Sequence, residues 1–360
     1  MSLTPSAQAA IELEPQPICP VCNGQGQVRY ANLRDRLFAA PGEYNLRQCE
    51  NPGCAVMWLD PRPTPASIGN AYLDYYTHAS VADGEFESLP FHKKLRRVWD
   101  DVCWRSYLDV AFGYNLLPPK YQPLKYLAAA AVLARPSFRE DWGLMARWLP
   151  ARRRGLLLDV GCGGGDALMA LRQFGWEVEG TDVDEASVRL ARSRGLTVHQ
   201  GDLSTLMLGQ QNYDAVTMSH SIEHVFDPLD FLRRAFRLLK PGGTLVVITP
   251  NVNGLLHERH GSNWMMLDPP RHLILFTASA LTRLAREAGF SHTTVRTNVR
   301  SFGLIDYASQ QIASHGRYTW GQMPNKSIEN AKLAVRERIA AVAVSTGAKQ
   351  GDELVLIARA

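Results

Sequence analysis

Short apolar runs and helical stripes alternate along the second half of the chain. A short run of apolar or β-branched residues that ends at a polar or turn residue is typical of a buried strand. Amphipathic patterns stand between most of these runs, which favours an α/β fold built on a largely parallel sheet. The predicted strands are 156–159, 176–182, 196–198, 214–219, 244–249, 293–297 and 351–359.

The first of these runs leads through a glycine loop into a helix. Asp159 ends the run, and Gly161, Gly163 and Gly165 follow at alternate positions. Glycines let a ligand approach the backbone closely, beside the free N–H groups of a helix N-terminus. A carboxylate there repels a pyrophosphate but suits a cation, which favours S-adenosylmethionine (SAM). A dinucleotide fingerprint needs Gly or Ala where Asp166 stands, and a tight turn without a ligand is the other alternative.

The next two strands also end in acids that suit an adenosine. Asp182 lies 21 residues after Gly161, where a carboxylate accepts hydrogen bonds from both ribose hydroxyls. The alternative role for Asp182 is a helix N-cap, and Asp184 is a second candidate for that cap. Asp202 follows the third strand and either meets the adenine amino group or is an ordinary loop acid.

These motifs together resemble those of class I SAM-dependent methyltransferases. The resemblance covers about residues 150–300, through the segments 159–165, 180–182, 213–225 and 239–245. It implies a Rossmann-like mixed sheet of seven strands, the last one antiparallel, with helices on both faces. The binding residues it implies are Asp159, Gly161, Cys162, Gly163 and Gly165 for the methionine end, Asp182 with Val183 for the ribose, Asp202 and Leu203 for the adenine, and Ser219 and His220 for the methyl-donor pocket.

Composition and charge set limits on the class of protein. A chain of 360 residues with 46% hydrophobic residues can bury one large core and carry an appendage. A formal net charge of +4 without a dense basic stripe does not indicate nucleic-acid binding. The N-terminal stretch lacks a secretory pattern, and the longest apolar run, 127–134, is too short to cross a bilayer. We therefore expect a cytoplasmic protein.

Four of the six cysteines form two short knuckles, Cys19 with Cys22 and Cys49 with Cys54. Zinc prefers four tetrahedral thiolates, which two such knuckles supply. Because the second knuckle is wider than usual, a redox dithiol and unrelated cysteines remain alternatives. Four cysteine ligands leave no open coordination position, so we predict a structural zinc that serves folding or substrate docking. Cys103 lies on an apolar helical face and is predicted to be a core residue.

A Pro-rich exit, 58–65, follows the knuckles, then a helical stretch that ends near the tyrosines of 75–78, then helices over 87–150. This order resembles bacterial enzymes that methylate sugars, polysaccharides or natural products. We expect the helices to pack on the core and cover the SAM cleft. One alternative is that the aromatic residues of these helices line an acceptor pocket. The other is that their apolar faces rest on a membrane that carries a lipid-linked substrate.

Three histidines are candidates for a catalytic base, which methyl transfer needs when the acceptor is a neutral hydroxyl or an acidic carbon. His220 and His224 follow the fourth strand and His272 follows the fifth, where open α/β sheets bind ligands. We rank His272 first as the base. The alternative role of each histidine is a structural hydrogen bond. The run from His220 to His224 also matches the H-x-x-E-H pattern of zinc peptidases, but Asp227 and Pro228 interrupt the helix that this chemistry requires.

The sequence thus predicts three regions. Residues 1–65 form a four-cysteine zinc module with its Pro-rich exit, 66–150 a helical cap or linker, and 151–360 a SAM-dependent methyltransferase domain with an insertion at about 300–348. We expect O- or C-methylation of a small-molecule or glycan acceptor, with no nucleic-acid partner and no transmembrane segment. The alternatives are an RNA methyltransferase whose zinc module docks nucleic acid, and a SAM-binding protein without catalysis.

Overall fold

The computed structural model describes residues 10–72, 91–322 and 327–360, so the predicted tyrosine-rich end at 75–78 lies outside the described residues. The strands are β1 (Leu13–Glu14), β2 (Gly26–Leu33), β3 (Tyr44–Cys49), β4 (Met57–Leu59), β5 (Arg62–Pro63), β6 (Leu156–Val160), β7 (Glu177–Asp182), β8 (Thr197–Gln200), β9 (Tyr213–Ser219), β10 (Leu239–Pro250), β11 (Ile274–Leu275), β12 (Ser291–Asn298) and β13 (Glu353–Arg359).

Three α-helices lie within the predicted helical region 87–150, and a fourth follows the glycine loop. The α-helices are α1 (Phe91–Phe112), α2 (Lys125–Leu133), α3 (Pro136–Met145), α4 (Asp166–Gln173), α5 (Glu185–Ser193), α6 (Pro228–Leu238), α7 (Leu255–His260), α8 (Ala278–Glu287), α9 (Phe302–His315) and α10 (Ser327–Ser345). Within the described ranges, no helix combines the length and the apolar character that a bilayer span requires.

Seven strands form one mixed sheet in the order β12-β13-β10-β9-β6-β7-β8. β7 runs parallel to β6 and to β8, whereas the last strand, β13, pairs antiparallel with β12. The predicted fold, a Rossmann-like mixed sheet with an antiparallel last strand, is therefore confirmed. The apolar run 245–248 of β10 is fully buried, as expected for a strand covered on both faces.

β10 begins earlier than the sequence indicates. It starts at Leu239, directly after α6, so the Lys-Pro-Gly-Gly segment that precedes the predicted strand 244–249 lies within β10. Gly242 takes a left-handed φ of +75° there. The turn residues therefore lie inside the strand rather than between it and the helix.

A second sheet adjoins the cysteine knuckles, since β3 ends at Cys49, and has the order β11-β4-β3-β2. Its edge strand β11 comes from far along the chain, with Ile274 opposite Trp58 and Leu275 opposite Met57. Trp58 and Met57 are fully buried, so this pairing belongs to a packed core. The sequence did not predict it, because a two-residue strand has no periodicity of its own.

The chain divides into two compact units. The first consists of the described residues of Met1–Tyr76, Met218–Arg237 and Val247–Ala360, and the second of those of Thr77–Thr217 and Leu238–Val246. The first unit holds the cysteine knuckles and the three candidate histidines. The second unit holds the glycine loop, Asp182 and Asp202.

Candidate functional site

The glycine loop of the second unit joins β6 to α4 through left-handed backbone. Gly161, Gly163 and Gly165 have φ angles of +75°, +54° and +86°, which side-chain-bearing residues rarely adopt. A Cβ built on Gly163 would meet no described heavy atom within 4 Å beyond its chain neighbours. The loop therefore leaves room beside its backbone for the ligand that the sequence predicts.

Asp182 ends β7 and fixes the shape of this loop. Its Oδ2 accepts a hydrogen bond from the backbone N–H of Gly163 at 2.7 Å, and its Oδ1 accepts one from Asp184 at 2.9 Å. Burial nevertheless raises the pKa of Asp182 above its usual value. A carboxylate offers about four acceptor sites, so both oxygens can still receive ribose hydroxyls. The cap of α5 is Asp184, which accepts from the N–H of Ser187.

Asp159 has two protein partners in the second unit. Its Oδ2 accepts from the Arg147 guanidinium at 3.0 Å, and its Oδ1 accepts from the Thr217 hydroxyl at 2.5 Å. The residue is 1% exposed. Arg147 therefore already neutralises the carboxylate that the sequence assigned to a ligand ammonium. Direct contact between Asp159 and the ligand stays a prediction.

Breaking the Arg147–Asp159 pair should cost stability. We expect Arg147→Met to lower the free energy of unfolding by about 3–5 kcal/mol, because it leaves a buried carboxylate without its cation. Urea denaturation measures this loss. The matched control is Arg194→Met, which breaks a more exposed pair with Asp166 and should cost at most about 1 kcal/mol. Equal costs for the two variants would contradict the assignment.

The residues predicted to contact the adenine, and two others predicted to contact the donor, differ in their surroundings. Asp202 accepts hydrogen bonds from the N–H groups of Ser204 and Thr205 at 2.8 and 3.1 Å, as a turn-forming loop acid does. Leu203 and Cys162 are buried, whereas Val183 is exposed. The contacts of Asp202, Leu203, Cys162 and Val183 with a ligand stay predictions.

The three candidate histidines surround Glu223 in the first unit. Nδ1 of His220 lies 3.1 Å from Oε1 of Glu223, and Nε2 of His272 lies 4.0 Å from the same oxygen. The rings of His224 and His272 have centroids 4.9 Å apart. The ligand atoms of Glu223, His224 and His272 all lie within 4.8 Å of one another, so this cluster has both the composition of a proton-transfer site and the spacing of a cation site.

His220 is held between two acids and is a poor base. Its Nε2 lies 3.0 Å from Glu353, which also accepts a hydrogen bond from Arg300. Burial lowers the pKa of His220, but its hydrogen bonds to Glu223 and Glu353 outweigh burial and raise it to about 9. His220 is therefore cationic at neutral pH and cannot accept a proton. The location of Ser219 and His220 at the methyl-donor pocket stays a prediction.

His224 and His272 are neutral. Burial lowers the pKa of each ring to about 4. Nδ1 of His272 donates to the carbonyl of Met266 at 2.7 Å, and Nδ1 of His224 donates to the carbonyl of Arg271 at 2.9 Å. Each ring can therefore accept a proton at Nε2. His272 is 6% exposed whereas His224 is partly exposed, so the geometry favours His224 over our first-ranked His272.

Sequence reasoning missed several residues around this cluster. The hydroxyl of Tyr72 lies 3.1 Å from Nδ1 of His224, and Glu223 anchors the ring of His220. Arg271 is fully buried and pairs with Asp35 and Asp268. Charged residues inside the otherwise apolar stretch 264–276 were the available signal, since a charge is rarely buried without a partner.

The H-x-x-E-H pattern takes a conformation that does not suit a zinc peptidase. Ile222–His224 form a three-residue 3-10 helix, and Val225 then returns to extended backbone. The two histidines of the motif therefore do not share one face of a sustained helix, as that chemistry requires.

The four knuckle cysteines come together in the first unit. All four Sγ atoms lie within 4.8 Å of one another, with Cys19 and Cys54 at 3.8 Å and Cys22 and Cys49 at 3.3 Å. Tetrahedral zinc with Zn–S bonds of about 2.3 Å needs sulfur atoms about 3.8 Å apart. The hydrogen bond from Cys54 lowers the pKa of Cys19 to about 5 and correspondingly raises that of Cys54. The donor set fits structural zinc.

A family model described as a methyltransferase domain matches residues 140–295. The "Ubiquinone biosynthesis O-methyltransferase" of Bordetella avium is 36% identical over 157 residues, which are 39% of this chain and 64% of that protein. A "Probable S-adenosylmethionine-dependent methyltransferase" of Mycolicibacterium smegmatis is 33% identical over 136 residues, 37% of this chain and 51% of that protein. The chain thus spans less than two thirds of these relatives.

Among solved structures, a SAM-dependent methyltransferase from Archaeoglobus fulgidus is similar at 17% identity with a TM-score of 0.40. The match covers 57% of this chain and 86% of that one.

Proposed function

We propose, from the premise that this chain carries a class I SAM-dependent methyltransferase domain, that the protein transfers the methyl group of SAM to a hydroxyl of a small molecule. One observation carries this proposal. The loop 161–165 is open beside Gly163 and is tied to Asp182, within a segment that matches a methyltransferase family model. SAM supplies an activated methyl group on a sulfonium, so the protein must chiefly bind and orient the reactants.

The donor-binding residues lie in the second unit. Backbone N–H groups at the start of α4 receive the methionine carboxylate, since a helix N-terminus favours an anion. Within the loop, the N–H groups of Gly161, Cys162, Gly163 and Gly165 already donate to protein acceptors. Asp182 accepts the ribose hydroxyls. Asp159 contributes through Arg147 and the loop rather than as a free anion, because it is buried and already paired with the Arg147 guanidinium.

His224 acts as the general base. Its Nε2 takes the proton of the acceptor hydroxyl while the oxygen forms a bond to the methyl carbon and the bond from carbon to sulfur breaks. The products are a methyl ether, S-adenosylhomocysteine and a protonated imidazole that returns its proton to water. Glu223 stabilises that imidazolium electrostatically, because its carboxylate stays ionised: burial would raise its pKa, but the hydrogen bond of His220 lowers it to about 2.

A phenolic hydroxyl suits this base better than an alcohol. A phenol has a pKa of about 10, whereas that of water is about 15.7, so a neutral imidazole removes a phenolic proton much more readily. The similar ubiquinone-biosynthesis O-methyltransferases are named for transfer to an oxygen, which agrees with a hydroxyl acceptor. We therefore propose a small phenol or catechol as the acceptor class.

The four knuckle cysteines hold a structural zinc. The cluster lies beside β11, since the hydroxyl of Thr277 donates to the carbonyl of Cys54 at 2.6 Å and Arg283 donates to the carbonyl of Val21. With four thiolate ligands zinc has no open position, so it supports the fold of the module rather than the reaction.

Methyl transfer from radiolabelled SAM tests the proposal. We expect label in catechol, and none in glucose or in total RNA under the same conditions. Label in the sugar or the RNA would assign a different acceptor. SAM binding without transfer to any of the three would contradict catalysis toward this acceptor class.

The donor site has its own prediction. We expect Asp182→Ala to weaken SAM binding on the order of 100-fold, because two charge-assisted hydrogen bonds to the ribose are lost. Isothermal calorimetry measures the Kd. Glu185→Ala, which removes an exposed acid on α5, is the matched control and should leave the Kd unchanged. Unchanged affinity in Asp182→Ala would remove the ribose assignment.

A further inference from the structure

Arg271 connects the four-cysteine module, residues 1–65, to the histidine cluster within the first unit. Its side chain is fully buried and donates to Asp35 at 2.8 Å, to both oxygens of Asp268, and to the carbonyl of Ala71 at 3.0 Å. The guanidinium carbon lies 4.6 Å from the ring centroid of Phe38. A planar guanidinium with this many partners has one orientation.

Asp35 is itself fixed by the backbone of its own loop. Its Oδ1 accepts from the N–H groups of Leu37 and Phe38 at 2.8 and 2.9 Å, and its Oδ2 accepts from Ala40 at 2.9 Å. The side chain is fully buried. Asp35 is thus a rigid anion that determines where Arg271 lies.

The main chain of Arg271 in turn contacts the ring that we assign as the base. Its carbonyl oxygen lies 2.9 Å from Nδ1 of His224. A carbonyl only accepts hydrogen bonds, so this contact requires a hydrogen on Nδ1 and leaves the lone pair on Nε2. The Tyr72 hydroxyl lies 3.1 Å from the same nitrogen and donates to it only when Nδ1 carries no hydrogen. Without the Arg271 carbonyl, the Tyr72 hydroxyl can donate to Nδ1 and so stabilise the other tautomer of His224.

We propose that Asp35 is a positioning residue for methyl transfer. By holding Arg271, it keeps the Arg271 carbonyl against Nδ1 of His224 and so maintains the tautomer in which Nε2 accepts a proton. Asp35 itself touches no reacting atom in this account. The inference rests on the proposed function, since the tautomer affects the rate only if His224 is the base.

Nitrogen-15 NMR of histidine-labelled protein reads the tautomer directly and needs no acceptor. The His224 signals are assigned by their loss in His224→Ala. We expect the Nδ1–H form in the wild-type protein and a shift toward the Nε2–H form in Asp35→Asn, because an amide cannot hold the guanidinium as a carboxylate does. Asp60→Asn is the matched control, because Asp60 pairs with Arg47 in the same module, and it should leave the signals unchanged.

Either of two NMR results overturns the proposal. One is a wild-type His224 without hydrogen on Nδ1, and the other is an unchanged His224 tautomer in Asp35→Asn. If Asp35→Asn does not fold, Arg271→Lys provides the same comparison, since it retains the positive charge and the carbonyl but loses the planar fork.

A double-mutant cycle with labelled SAM and catechol then separates positioning from a general loss of fold. We expect Asp35→Asn to lower kcat roughly 10- to 100-fold with the KM for SAM unchanged. In the His224→Ala background it should have no further effect. If Asp35→Asn lowers kcat by the same factor in the wild-type and in the His224→Ala protein, Asp35 acts only on the fold. A fully active His224→Ala would instead refute the proposed base, whatever the NMR result.

Discussion

Replacing His224 with alanine is expected to lower the rate of methyl transfer from SAM to catechol by roughly 100- to 10,000-fold, the usual contribution of a general base. The ring is suited to the role because it is neutral, partly exposed, and held by the Arg271 carbonyl through Nδ1. The affinity for SAM should stay within about twofold, since the predicted donor-binding residues do not include His224. Steady-state kinetics and calorimetry measure the two effects separately.

A matched substitution controls for the loss of any histidine. His315→Ala lies at the exposed C-terminal end of α9 and should keep the full rate. If His224→Ala retains more than about a tenth of the rate, the base lies elsewhere. His272→Ala, at the neighbouring ring, is then the variant to test.

The pH profile follows from the same ring. A base acts when it is deprotonated, so kcat/KM falls as the pH falls through its pKa. Burial, followed by the neighbouring His272, lowers the pKa of His224 to about 4. We therefore expect kcat/KM to stay level from neutral pH down to about pH 5 and to fall below it. A half-maximal value near 6.5, the ordinary pKa of histidine, would contradict the lowered pKa of this ring.

Replacing Cys19 with serine is expected to remove zinc and unfold the four-cysteine module. Structural zinc contributes apparent free energies of about 10–16 kcal/mol in small modules at pH 7, and such modules seldom fold without it. Metal analysis should find about one zinc per wild-type chain and almost none in Cys19→Ser. Limited proteolysis should then cut within residues 10–65.

Cys103→Ser is the control for this experiment. Cys103 is buried on α1 and is not one of the four clustered cysteines, so this variant should keep its zinc. A wild-type protein without metal would refute the zinc assignment. Two metal ions per chain, reduced to one by Glu223→Gln, would show instead that the Glu223–His224–His272 cluster is a cation site.

The main sheet and the glycine loop could be predicted because their signals are local. The apolar run that contains Leu157 and Leu158 is followed by an acid and by glycines at alternate positions. About ten residues therefore encode the strand and the tight turn after it. The cysteine cluster was predictable for a similar reason. Each knuckle is short, and zinc chemistry supplies the long-range pairing that the sequence pattern lacks.

The surroundings of the base could not be predicted in this way. The ion pair of Asp35 with Arg271 joins residues 236 positions apart, and the pairing of β11 with β4 spans a similar distance. Buried charges leave no periodic signal, because their partners are set by tertiary packing. For the same reason the ion pair of Asp159 could not be predicted, since its partner Arg147 lies outside the motif that identified the acid.

Calorimetric titration of the purified protein with SAM tests the central claim, that the glycine loop and Asp182 bind this methyl donor. We predict saturable binding of one SAM per chain and no binding of NADH under the same conditions. An absence of heat with SAM, or saturable binding of NADH instead, would contradict the account.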